Sequence, residues 1–219
     1  MISRLFPITA ALAALLLASC GNSGLAVLPK SSIKAGGVSG LFSHAETYPT
    51  AAPSAKTVVA AATKPKDRHR MPVYAFSDRT RVVRTTAYTC SEDDHLVYGS
   101  SNATGTPLRY SNRVRSAAAD WSCYPVGTVF RIAGMSCLYV VDDYGSALTG
   151  TGTVDIYTPS KSLMGVWGSR NVEMTIVQWG SFTRSAEILS QRTGYGHCRT
   201  MLANLIRQRP DLAGKVASR

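Results

Sequence analysis

From Arg81 onward the chain alternates short runs of β-branched and aromatic residues with clusters of Gly, Pro, Asn and Ser. The runs are VVRTTAYT from Val82, GTVFRIAG from Gly127, CLYVVDD from Cys137, TVDIY from Thr153 and VEMTIVQW from Val172. Strand-length runs punctuated by turn residues predict a small β-barrel or sandwich over residues 81–180, and about 100 residues suffice for one such core. Past Trp179 the period changes. Ile188, Leu189, Met201, Leu202, Leu205 and Ile206 recur at helical spacing on either side of Gly194-Tyr195-Gly196, and Pro210 follows a pair of arginines. This predicts two short helices in a tail over residues 181–219. Upstream, residues 21–80 are rich in Ala, Ser, Gly, Pro, Thr and Lys and hold neither period, which predicts a disordered tether. Within it Val58–Ala62 offers only a transient helix. The 22-residue loop Ser91–Asn112 is long and polar, the kind of segment that often carries function.

The extreme N-terminus has a different pattern. Arg4 precedes an apolar run from Leu5 to Ala18, followed by Ser19, Cys20 and Gly21. That run is too short to span a bilayer and fits a cleaved secretory leader over residues 1–20. Its Leu-Ala-Ser-Cys ending resembles a bacterial lipobox, which makes Cys20 the expected lipidation site and the membrane a partner through that lipid. The residue after Cys20 is Gly21, not the Asp that retains lipoproteins of enteric bacteria in the inner membrane. By that resemblance the expected location is the outer membrane, facing the periplasm. Of the five cysteines, Cys90, Cys123, Cys137 and Cys198 remain in the exported part. An even number in an oxidising compartment predicts two disulfides, with three connectivities open.

A formal charge of +11 would suggest nucleic acid in a cytosolic protein. The basic clusters Lys64 to Arg70, Arg79 to Arg84 and Arg109 to Arg115 show no aromatic interleaving of the RNA-binding kind, so nucleic acid is not an expected partner. In an exported protein such charge suits anionic wall polymers or lipid headgroups, or simply a solvated surface.

The candidate chemistry lies in VVDDYGSALTGTGTVDIY, Val140 to Tyr157, where Asp143 and Asp155 bracket a Gly/Ser/Thr loop and Asp120 lies upstream. In order, the chain presents Thr86-Ala87-Tyr88, Asp120, Pro125-Val126-Gly127-Thr128, Asp143-Tyr144-Gly145-Ser146-Ala147-Leu148-Thr149-Gly150 and Asp155-Ile156-Tyr157. From Arg84 to Trp179 this resembles the three-aspartate (3D) domain, the double-psi β-barrel shared with MltA-type lytic transglycosylases. The resemblance implies a mainly β fold, a six-stranded double-psi barrel, acting on peptidoglycan glycan strands. It makes Asp143 the catalytic acid/base, with Asp120 and Asp155 tuning it. Asp142 is the competitor, set aside because adjacent strand residues face opposite sides.

Cleavage of a β-1,4 glycosidic bond needs a carboxyl that still holds its proton near neutral pH, and burial and neighbouring like charge both raise a carboxyl pKa. In a lytic transglycosylase the same group then takes the proton of the sugar's own C6 hydroxyl, giving a 1,6-anhydro product. Tyr88, Thr104 beside Gly105, Trp121 and Tyr144 are the expected substrate contacts, with Trp121 as a sugar-stacking platform. Three departures from the family pattern stand out: Trp121 where Pro is usual, Tyr144 where Thr is usual and Ser146 where Gly is usual. MltA-like enzymes also carry a second domain that closes the groove, and this chain has no room for one. The alternative reading is therefore a non-catalytic, expansin-like glycan-binding barrel. A calcium site built from the three aspartates and His95 matches no known loop spacing, and no metal or cofactor is expected.

Overall fold

The structure, a computed structural model, describes residues 47–92 and 99–214. The expected leader, Cys20, the first part of the expected tether and His95 lie outside the described residues. Six strands close into a barrel: β1 (Thr80–Tyr88), β2 (Val114–Ala119), β3 (Val129–Ile132), β4 (Leu138–Asp143), β5 (Val154–Tyr157) and β6 (Arg170–Gln178). Their order around the barrel is β1-β5-β2-β4-β3-β6. The β1–β5 and β2–β4 pairs are parallel and the others antiparallel. The six-stranded barrel expected from the sequence is thus present, and its two parallel pairs, which are not consecutive strands, require crossover connections.

Alternation fills the interior. Val83, Ala117, Ala119, Phe130, Ile132, Tyr139, Val141, Val154, Ile156, Val172, Met174 and Ile176 point inward and are all but fully buried. Phe130 and Tyr139 stack with centroids 5.3 Å apart. β2, with the sequence VRSAAA, is the strand the hydrophobic pattern does not announce. Alanine has little intrinsic preference for strands, and here two alanines occupy the narrow space between β4 and β5.

Helix α1 (Ala55–Ala62) overturns much of the expected tether. Its N-cap Ser54 bonds Glu173 Oε2 through both N–H (2.9 Å) and Oγ (2.7 Å). Just before it, Tyr48 packs edge-on against Trp167 at 4.9 Å, and the Ala51 N–H donates to the Ala133 carbonyl at 2.8 Å. A Cβ on Gly134 would meet the Pro49 carbonyl oxygen at 2.0 Å, and the φ of Gly134 is +85°, so only glycine lets the two segments touch. Residues 47–80 are therefore folded onto the barrel. The low-complexity composition concealed a segment whose order comes from tertiary contacts rather than from its own period.

Helix α2 (Lys161–Trp167) carries Trp167 into the core, and α3 (Phe182–Ser190) and α4 (Gly196–Gln208) are the two helices expected in the tail. The tail is fastened to the barrel. Ser185 Oγ accepts the Val126 N–H at 2.9 Å, and Leu189, Cys198 and Met201 enter the main core. Among the described residues no helix is long and apolar enough to cross a membrane.

The expected disulfides are absent: Cys90, Cys123, Cys137 and Cys198 are free thiols. The fold distributes them to separate neighbourhoods. Cys90 lies by the Tyr157 hydroxyl, Cys123 by Asp120, Cys137 by Tyr139, and Cys198 by Tyr144. Cysteine parity could not foresee this, because it carries no information about distance.

Candidate functional site

Strand register places the carboxylates. Ala118 of β2 pairs with Asp143 of β4 on one side and with Asp155 of β5 on the other, and Asp155 in turn pairs with Thr86 of β1. Residues in one such row face the same side, so Asp143 and Asp155 project from the barrel's outer surface around the small Ala118. Both line a hollow of about 170 Å³ with Tyr88, Glu92 and Ser146. A larger hollow of about 540 Å³ adjoins it across Asp143 and Tyr144 and is bounded by Asn102, Arg192, Tyr195 and His197.

A bulge makes this register. Pairing runs Ala117 with Val141, then Ala118 with Asp143, so Asp142 is the extra residue. Tyr139 and Val141 point to the core, and Tyr144 packs against it, so Asp142 and Asp143 both lie on the outer face. Asp142 accepts from Ser116 Oγ at 2.8 Å, and Ser116 also lies outside the barrel, two residues from Ala118. The expectation that Asp142 faces away from Asp143 is therefore corrected, since strict alternation does not survive a bulge.

Asp143 is buried and held from three directions. Its Oδ1 accepts the backbone N–H of Ala103 (3.1 Å) and of Tyr144 (2.9 Å), and Oδ2 accepts from the Tyr88 hydroxyl (3.1 Å). The Ala103 N–H is presented by a compact turn that Asn102 organises. Asn102 Oδ1 accepts from the Thr104 N–H (3.0 Å), Thr104 Oγ1 (2.7 Å) and the Thr106 N–H (3.2 Å). Thr104, an expected substrate contact, thus supports the turn. Tyr88, another, touches the carboxylate, and its ring packs on Tyr157.

Asp155 accepts from Thr86 Oγ1 at 2.6 Å, and burial pushes its carboxyl up to about 6, with Glu92 and Asp143 adding to the rise. Asp142 is likewise pushed to about 6, mainly by burial. Asp120 stands apart. It is fully buried and accepts from the Ser122 N–H (2.7 Å), Ser122 Oγ (2.6 Å) and the Gly150 N–H (2.6 Å). It borders a different hollow, of about 210 Å³, with Cys123 and Arg207. Asp120 therefore pins the loop that follows Asp143, and the acids gathered on one face are Asp142, Asp143 and Asp155.

Asp67, from the expected tether, does a similar job. It accepts the Gly152 N–H at 3.0 Å, while its other oxygen caps the turn through His69 and Met71. Arg68 donates to the Ala147 carbonyl. The segment 64–72 thus buttresses the loop between the two site aspartates.

Trp121 is not a platform. It has no exposed surface, its Nε1 donates to the Asp143 backbone carbonyl at 2.9 Å, and Tyr144 packs edge-on against it at 4.9 Å. A buried indole N–H usually finds a hydrogen-bond partner, and here that partner is the carbonyl beside the β4 bulge. Tyr144 is half-buried and lines both hollows, its hydroxyl accepting from Arg192 Nη1 at 2.8 Å. Arg192, Tyr195, His197 and the Ala103 N–H were missed from the sequence. A backbone donor has no residue signature, and the tail residues belong to a region legible only as helix.

The raised Asp142 carboxyl gives a stability prediction. The folded chain holds this proton more tightly than the unfolded chain does, so stability falls as pH rises from about 4 to about 6 and the full penalty stands above that. Asp142→Asn should stabilise the protein by about 2 kcal/mol at pH 7.5 and by almost nothing at pH 4. Paired thermal melts at the two pH values check this, and an equal gain at both would rule it out.

Among the described residues no group of His, Cys, Asp and Glu is arranged to hold a metal ion. No curated protein matches the chain. A family model does match, over residues 115–178, from the second residue of β2 to the end of β6, a span holding Asp120, Asp142, Asp143 and Asp155. Over those residues, which hold the row that carries Asp143 and Asp155, the chain is similar to the 3D domain.

Proposed function

We propose that this protein cleaves peptidoglycan glycan strands as a lytic transglycosylase, with Asp143 as the acid/base. 3D domains are associated with peptidoglycan-related barrels of this kind. The observation that carries the reading is the shared row: two carboxylates converge on one cleft, and one of them is oriented by three donors. Two backbone N–H groups fix Oδ1, leaving Oδ2, beside the Tyr88 hydroxyl, to carry the proton. Asp143 gives that proton to the bridge oxygen as the C1–O bond breaks. It then accepts the proton of the C6 hydroxyl as that oxygen bonds to C1, so acid and base balance without water. Asp155, in the same hollow and with Thr86 on one oxygen, supplies negative charge toward the cationic sugar when ionised. Asp120 and Trp121 act through the positions of the loop and strand that bear Asp143.

Anchoring by a lipid on Cys20 and display to the periplasm, from the outer membrane, belong to the same proposal. They rest on the pattern from Arg4 to Gly21. Glycan strands are then the substrate and the membrane the only other partner invoked.

Mass spectrometry of purified peptidoglycan after incubation with the full chain tests the activity. Muropeptides ending in 1,6-anhydro sugars are the expected products. Reducing ends would make water the nucleophile and require a second carboxylate as base. Sedimentation of the protein with the wall and no products would leave the glycan-binding reading in its place.

A further inference from the structure

The tail builds a wall that the barrel alone lacks. The hollow holding Asp143 and Asp155 shares Asp143, Tyr144, Gly145 and Ser146 with the 540 Å³ hollow. That hollow shares Ala103 and Arg192 with a third, of about 480 Å³, bordered by Arg184, Ile188 and Gln191 of α3 and its C-terminal turn. Three adjoining hollows make a trough that starts at the two aspartates and runs along the tail. A trough of this kind suits a linear polymer, and its far wall comes from α3, α4 and the turn between them.

The chemistry of that wall is specific. Arg192 is half-buried and spends one N–H on the Tyr144 hydroxyl, with its guanidinium 5.7 Å from the Tyr144 ring centre. A guanidinium has five donors, and among the described residues no carboxylate pairs with Arg192. Tyr195 leaves 54% of its surface exposed at the rim, its ring 5.7 Å from that of His197. A planar cation set in a partly desolvated wall recognises carboxylates through paired hydrogen bonds, and an exposed aromatic face suits a sugar ring.

We infer that Arg192, with Tyr195 and His197 beside it, forms a subsite for a carboxylate substituent on the glycan strand, an inference that rests on the glycan-cleaving reading above. Two sources present such a group on peptidoglycan: the lactyl ether of muramic acid when its peptide has been removed, and the stem peptide when it is attached. The subsite would select muramyl strands over uncharged β-1,4 amino-sugar polymers.

Titration calorimetry tests this with the full chain carrying Asp143→Asn, so that no ligand is cleaved. The ligands are chitotetraose, a peptide-free muramyl tetrasaccharide and the same tetrasaccharide with stem peptides. A carboxylate-bearing ligand should bind about tenfold tighter than chitotetraose. Adding Arg192→Gln should erase that ratio, with the loss falling on the two muramyl ligands, while Arg192→Lys should keep part of it. Preference for the peptide-free or the peptide-bearing ligand identifies which carboxylate is read. If Arg192→Gln weakens all three ligands alike, or leaves the ratio intact, Arg192 only supports Tyr144 and the inference fails while the glycan reading stands. If the parent protein binds none of the three, the glycan reading fails with it.

Discussion

Asp143→Asn leaves the fold intact and lowers the rate of anhydromuropeptide release by about 10³-fold, the range expected when a general acid/base is removed. The substitution is nearly isosteric. The Asn carbonyl oxygen can still accept the Ala103 and Tyr144 N–H groups that hold Oδ1. The new amide meets the Tyr88 hydroxyl, which needs only to turn to accept it. What is lost is the one oxygen able to carry a proton to the bridge and take another back. Melting temperature should therefore change little while turnover collapses, a combination that a merely structural aspartate does not produce. A comparison with Asp155→Asn makes the result decisive. Asp155 sits in the same row but is held by a side chain rather than by backbone donors, and its charge assists rather than transfers. Its replacement should cost about tenfold in rate. Should the order reverse, Asp155 is the proton carrier and the role assigned to Asp143 falls.

The parts of this site visible in the sequence are those whose side chains do the chemistry. Asp143 and Asp155 stand out because each ends or opens a β-rich run and flexible residues join them, and the barrel does bring them onto one row. Asp120 looked equivalent because sequence order does not show which side of a turn a carboxylate takes. Inside, it finds the Ser122 and Gly150 N–H groups and becomes a brace. The β4 bulge was illegible for a related reason. Alternation is the only guide to facing, and one inserted residue flips it, so Asp142 joined the face it was expected to leave. β2 was hidden because its alanines are chosen by the space between β4 and β5, not by strand preference. The segment 47–80 had the composition of a linker, yet Tyr48, Ser54 and Asp67 each reach a distant partner. Such order is written in pairs of positions more than a hundred residues apart in the case of Ser54 and Glu173, where no local pattern can register it.

Trp121→Ala should cost about 3–5 kcal/mol of stability, the usual range for removing a fully buried aromatic side chain. The loss has two sources. The cavity removes contacts with Tyr144 and the surrounding core, and the Asp143 carbonyl loses the indole donor 2.9 Å away. Trp121→Phe separates them. It fills most of the space and leaves the buried carbonyl without its partner, so its cost should be about 1–3 kcal/mol. Because that carbonyl belongs to the proposed acid/base, Trp121→Phe should also lower kcat while KM changes little, since Trp121 itself lines none of the three hollows of the trough. A surface platform predicts the opposite pattern. Either substitution would then raise KM, spare the melting temperature, and leave kcat near its original value. Denaturant unfolding alongside steady-state kinetics on the two variants distinguishes the cases. A stable Trp121→Ala protein with weakened glycan binding would return Trp121 to the substrate and undo the packing described for the end of β2.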